Sequence, residues 1–160
     1  PYAISDREGI KKMYFTKQSN LGFIPSENNE ETQNMNDRIK TSVSTKDVKV
    51  TTVDDFAKDK RIDMIRMDIE GHEIEAINGM RKTLESAKHP LNLFIEVHIG
   101  LSKRGRIEDM LNYLLDIGYK PNYVIPAKWK RKIYRNLGRK EFVRMACSTK
   151  GSHVFLTKQP

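Results

Sequence analysis

The chain has one cysteine among its 160 residues, Cys147. That excludes an internal disulfide and a thiolate-rich zinc site. Its longest strongly apolar run, Leu93-Phe94-Ile95, is far short of the roughly 20 residues a membrane-spanning helix needs. No charged-then-apolar signal segment opens the chain, so a cytosolic (cytoplasmic) compartment is expected. Aromatic residues are only 8% of the chain, yet hydrophobic residues reach 38%, enough for the core of one domain of ordinary size.

Charge is plentiful and unevenly placed. Residues 1–80 carry 12 Lys and Arg against 15 Asp and Glu, a net of −3. Residues 81–160 carry 17 against 6, a net of +11. The basic half suits nucleic acid, phosphate or an anionic lipid surface, and equally a solvated basic surface.

Hydrophobic spacing divides the chain into short strands and helices. Ile10–Thr16, Lys46–Val53, Ile62–Met67, Leu91–His98, Tyr119–Ile125 and His153–Thr157 read as strands. The near-continuous apolar character of Leu91–Val97 suggests burial on both faces. Asp54 or Asp55 is expected to cap a short helix through Phe56. Ile74, Ile77 and Met80 recur at helical spacing, and Ile107, Met110, Leu111, Leu114 and Leu115 mark the clearest helix, stopped by Gly118. Residues 19–45, rich in Asn, Ser, Glu and Thr, read as a long mobile loop with at most a short helical piece. Residues 126–152 read as a basic insert, within which Trp129, Ile133 and Leu137 suit the inward face of an amphipathic helix. The alternation of strand and helix indicates a single α/β domain over 1–160 with a mostly parallel sheet and an antiparallel last pair.

In such sheets ligands sit beyond the carboxyl ends of the strands. Asp68-Ile69-Glu70-Gly71-His72-Glu73 crowds three carboxylates and an imidazole around one turn there. These groups suit a divalent cation, a polar substrate or acid–base work. A purely structural turn, with Glu73 capping the helix and Glu70 paired to an arginine, also accounts for them. Glu96-Val97-His98 places a carboxylate and an imidazole on one side of an extended chain, a general-base or metal-ligand arrangement. Asp68, Glu96 and His98 are therefore the candidate catalytic residues. His72 reads as a surface helix residue, His89 and His153 as structural. Lys103 and Arg104, in the loop between Gly100 and Gly105, are candidates for holding an anionic group. Cys147 reads as a small core residue.

The sequence resembles the FkbM family of S-adenosylmethionine-dependent methyltransferases. The resemblance rests on Thr52-Val53-Asp54-Asp55-Phe56, on Ile62-Asp63-Met64-Ile65-Arg66-Met67-Asp68-Ile69-Glu70-Gly71-His72-Glu73, and on Ile77-Asn78-Gly79-Met80. It continues through Phe94-Ile95-Glu96-Val97-His98 and Leu115-Asp116-Ile117-Gly118-Tyr119, and covers most of residues 1–125. It implies a class I methyltransferase (Rossmann-like) sheet, mostly parallel with an antiparallel last strand. It also implies methylation of a hydroxyl on a sugar, glycan or small metabolite. In that frame Asp68, Glu70 and Gly71 bind the cofactor, while Glu73, Lys103 and Arg104 bind substrate. The family's glycine-rich cofactor turn follows its first strand, and the nine glycines here include no G-x-G pair. The chain is thus expected to be the acceptor-side, C-terminal part of a longer domain, open to self-association through an exposed sheet edge. The competing readings are a module binding an anionic polymer or membrane surface, and a metal-dependent hydrolase built on Asp68, Glu70, Glu96 and His98.

Overall fold

A computed structural model describes residues 1–17, 22–26, 33–58, 60–127, 132–148 and 151–159. The amino-terminal part builds a mixed four-stranded sheet from β1 (Ala3–Ile4), β2 (Gly9–Phe15), β3 (Gly22–Phe23) and, after helix α1 (Gln33–Thr41), β4 (Ser44–Thr51). Their order is β1-β4-β2-β3; β1 runs parallel to β4, and β2 is antiparallel to both β3 and β4. Within residues 19–45, Phe23 and Met35 are buried, and Arg38 stacks its guanidinium 4.7 Å from the Phe23 ring. Residues 19–21 and 27–32 of that segment lie outside the described residues.

The chain then forms α2 (Val53–Phe56), β5 (Met64–Met67), α3 (Glu73–Asn78) and α4 (Arg81–Glu85). Next come β6 (Leu91–Val97), α5 (Arg104–Asp116), β7 (Lys120–Pro126), β8 (Tyr134–Arg135), α6 (Arg139–Ala146) and β9 (Ser152–Lys158). The strands from β5 onward make a second sheet in the order β5-β6-β9-β7-β8. β5 and β6 pair in parallel; β9 is antiparallel to both β6 and β7, so β7 runs in the direction of β5 and β6, and β8 is antiparallel to β7. The architecture is α/β with two mixed sheets, in place of the single mostly parallel sheet expected.

β6 sits between β5 and β9, which is why it is so apolar. Leu91, Leu93, Ile95 and Val97 are at most 1% exposed, whereas Asn92, Phe94 and Glu96 on its other face are only half-buried. The strand therefore alternates, and the expected burial on both faces is not what the chain does. Its buried face shares one hydrophobic core with α5, whose Ile107, Met110, Leu111 and Leu114 form an inward stripe at the expected spacing. Gly118, at φ +97°, ends that helix as expected. Cys147 is a core residue, and burial pushes its thiol up to about 11.

Two other local expectations change. Thr52, not an aspartate, caps α2 by accepting from the Asp55 N–H at 3.0 Å. Asp54 instead reaches across to α4, where its carboxylate accepts from the Lys82 and Thr83 amides at 3.1 and 2.8 Å. Within the basic insert, Tyr134–Arg135 is a strand and the helix begins only at Arg139, burying Phe142 and Ala146. Ile133 stays 46% exposed, and Trp129 lies outside the described residues.

Gly79 is one of the points where the two parts of the chain touch. A Cβ there would lie 1.9 Å from the Ser5 carbonyl oxygen, so only glycine allows the segment after β1 to cross the end of α3. That crossing carries Ser5 onto His72 and helps place the β1 end beside the turn after β5.

Candidate active site

The carboxyl ends of the parallel pair β5 and β6 carry the site. Asp68 follows β5 directly, and the chain then turns sharply through Glu70 and Gly71, at φ +57° and +100°. The left-handed backbone of Glu70, uncommon for a side-chain-bearing residue, turns the chain into α3. A Cβ on Gly71 would approach Leu101 Cβ to 2.8 Å, so the turn is packed as well as bent.

α3 begins at Glu73, where the helix N-terminus favours an acid. Glu73 is 2% exposed; its Oε1 accepts from the Gly71 N–H at 3.1 Å and lies 2.8 Å from His98 Nδ1. This leaves His98 Nε2 facing Glu96 Oε1 at 3.8 Å and Glu70 Oε2 at 3.9 Å. Asp68, Glu96 and His98 each offer one ligand atom, all within 4.8 Å of one another. The structure thus brings together the three residues expected to be catalytic. Burial disfavours the charged imidazole of His98, but the hydrogen bond to Glu73 and the charges of Glu73, Glu70 and Glu96 outweigh it and raise its pKa.

The arginine partner expected for Glu70 in a structural turn is present, and a second partner, His153, was not foreseen. Arg38, from α1, donates to Glu70 Oε2 at 3.0 Å. His153, read as structural, lies opposite Glu96 in the β6–β9 register, with Nε2 3.1 Å from Glu96 Oε2 and its ring tilted on Phe94. Nothing local in the sequence marks either; both come from segments far away along the chain.

His72 is not a surface residue but 2% exposed. Its Nε2 meets Ser5 Oγ at 3.0 Å, and Ser5 Oγ donates to Asp6 Oδ1 at 2.9 Å. Ser5 therefore accepts from Nε2–H, and Nδ1 is left bare, 3.8 Å from Glu75 Oε2. Burial is the chief cause that lowers the His72 pKa, against the opposing charge of Glu75. Glu75 is held by Ser26 at 2.8 Å and Arg106 at 3.1 Å. His89 is structural as expected, its Nε2 3.0 Å from the Ile62 carbonyl.

The expected substrate contacts fare differently. Lys103 and Arg104 are exposed at the start of α5, and Arg104 pairs with Glu108 at 2.8 Å. They do not join the cluster. Glu73 belongs to it, but as the buried support of His98. Asp68 and Glu70 line a cavity of about 490 Å³ whose other walls include Ile4, Phe23, Ile69 and His72. Gly71 shapes the turn behind it.

The chain matches the family model described as the methyltransferase FkbM domain over residues 1–121, and it belongs to that family. The family is one of methyltransferases, so this is a methyltransferase domain. The basic segment 126–152 lies outside the matched residues. No curated protein and no solved structure matches the chain. Among the described residues no helix is long and apolar enough to cross a membrane.

Proposed function

We propose that the domain takes a methyl group from S-adenosylmethionine to a hydroxyl of a sugar, glycan or small metabolite. The observation that carries this reading is the convergence of Asp68, Glu96 and His98 at the ends of β5 and β6, beside the cavity between the two sheets. The order β5-β6-β9-β7 with an antiparallel β9 supports a class I, Rossmann-like assignment for the second sheet.

The cavity fits part of the donor. Ile4, Phe23 and Ile69 suit a flat apolar body, and the carboxylates of Asp68 and Glu70 suit a cationic end. A glycine-rich turn of G-x-G type is not in the sequence, so the fit rests on the cavity alone. S-adenosylmethionine would supply an electrophilic methyl group on a positively charged sulfur. Asp68 and Glu70 would hold that positive charge, while Glu96 and His98 hold the acceptor hydroxyl and align its oxygen. The O–H bond would give up its proton to water as the new O–CH₃ bond forms and the S–CH₃ bond breaks, leaving the donor as a neutral thioether. The negative field of the cluster favours that proton loss by stabilising positive charge nearby.

The test is transfer of a labelled methyl group from millimolar donor to a panel of sugars and small hydroxyl compounds. Transfer that falls at least tenfold in Asp68→Asn and Glu96→Gln is expected. Transfer equal in both variants and in the unaltered chain would refute the assignment.

A further inference from the structure

We propose that Asp68, Glu96 and His98 form a binding site for a divalent first-row metal ion, for which Mn²⁺ is a suitable probe, and that this ion grips the acceptor hydroxyl. The inference rests on the methyl-transfer reading for its purpose, but its geometry stands apart from it.

The three side chains are a mixed oxygen and imidazole donor set with their ligand atoms within 4.8 Å of one another. Ligands at right angles around an ion with bonds of about 2.1 Å sit about 3 Å apart. Small side-chain rotations therefore suffice to close the set. Two carboxylates and one imidazole suit Mn²⁺ better than Mg²⁺, which prefers oxygen throughout.

Each donor is also held from behind. The buried Glu73 grips His98 Nδ1 at 2.8 Å, which turns Nε2 inward and fixes it as the free nitrogen. His153 grips Glu96 Oε2 at 3.1 Å and leaves Oε1 facing His98. Arg66 lies 3.7 Å from Asp68 Oδ2. A carboxylate behind a ligating histidine is the usual outer support of a metal site, since it orients the ring and raises its basicity.

Charge points the same way. Asp68, Glu70, Glu73 and Glu96 bring four negative charges, while the arginines paired with them, Arg38 and Arg66, return two. These carboxylates and arginines sum to −2, which one divalent cation neutralises. Asp68 and Glu96 keep 37% and 32% of their side-chain surface exposed, so an ion held there retains open positions for a hydroxyl. On the ion, that hydroxyl becomes more acidic. Its proton leaves to water as the O–CH₃ bond forms and the S–CH₃ bond breaks.

The test titrates the whole chain, stripped with EDTA, with Mn²⁺, followed by electron paramagnetic resonance of the free ion. One site tighter than about 100 μM is expected, with His98→Gln and Glu96→Gln each weakening it at least tenfold. Glu73→Gln should weaken it by about 10–100-fold. Asp63→Asn, an exposed carboxylate paired with Arg61, should leave it unchanged. Should a variant fail to fold, Mn²⁺ broadening of the His98 and His153 imidazole signals in the unaltered chain decides the matter. Binding weaker than 1 mM, or broadening that spares His98, overturns the site. Methyl transfer undiminished by EDTA overturns the ion's role and leaves the methyltransferase reading intact. Mn²⁺ bound as expected with no methyl transfer to any acceptor supports the site and counts against that reading.

Discussion

Glu73 Oε1 lies 2.8 Å from His98 Nδ1, joining the first residue of α3 to the end of β6 across 25 positions of sequence. Glu73 is almost wholly buried, so its charge is tolerated only because the Gly71 amide and His98 face it. Glu73→Ala removes that charge-assisted bond and leaves His98 without its support. The expected cost is about 2 kcal/mol of stability, read as a lower urea midpoint at unchanged slope. A midpoint equal to that of the unaltered chain would show that the pair holds nothing together.

Gly79 and Gly105 should respond oppositely to the same change. At Gly79 an added Cβ meets backbone, the Ser5 carbonyl at 1.9 Å, and backbone cannot swing aside as a side chain does. Gly79→Ala should destabilise the protein by about 2–3 kcal/mol. At Gly105, inside α5, a Cβ meets nothing within 4 Å. Gly105→Ala should stabilise by about 0.5–1 kcal/mol. Thermal unfolding of the two variants side by side checks both signs.

His72 should make the fold sensitive to mild acid. Its folded pKa is lowered from 6.5, chiefly by burial, so the unfolded chain binds its proton more readily than the folded one. Stability therefore rises with pH through this window, and the contribution is lost as pH falls below 6.5 toward the folded value. The groups facing the ring include Glu75, Lys11, Asp6, Ser5 and the Ile24 backbone. Urea unfolding between pH 7 and 5 should show a decline that is shallower in His72→Gln. Identical slopes in the two proteins would remove His72 as the cause.

S-adenosylmethionine should bind this chain more weakly than the micromolar range, which corresponds to about −8 kcal/mol. The cavity offers Asp68 and Glu70 to the charged end and apolar walls to the rest. No glycine-rich turn of G-x-G type is present in the sequence to bring backbone amides against a ligand. Isothermal titration calorimetry measures this directly. A micromolar dissociation constant would mean that the cavity holds the donor far better than its lining explains.

By itself the sequence determined the elements whose signal is local. The stripe Ile107, Met110, Leu111 and Leu114 defines α5 because residues three and four apart share one helix face, and Gly118 ends it because the chain needs a positive φ there. The acid-rich turn at Asp68–Glu73 and the pair Glu96 and His98 were visible for the same reason: their meaning lies in neighbours along the chain. What joins these pieces was decided only by the tertiary structure. The entry of β9 between β6 and β7 makes the second sheet mixed, and its register sets His153 opposite Glu96. Pairing between distant strands is fixed by which faces must be buried together, and no local period encodes it. His72 reads as a surface position on its own helix. It is buried because Ser5, passing over Gly79, closes on it from 67 residues away. Arg38 reaches Glu70 only once α1 lies over the turn after β5. Local spacing fixes a side chain's direction, whereas packing of distant segments fixes what that side chain meets.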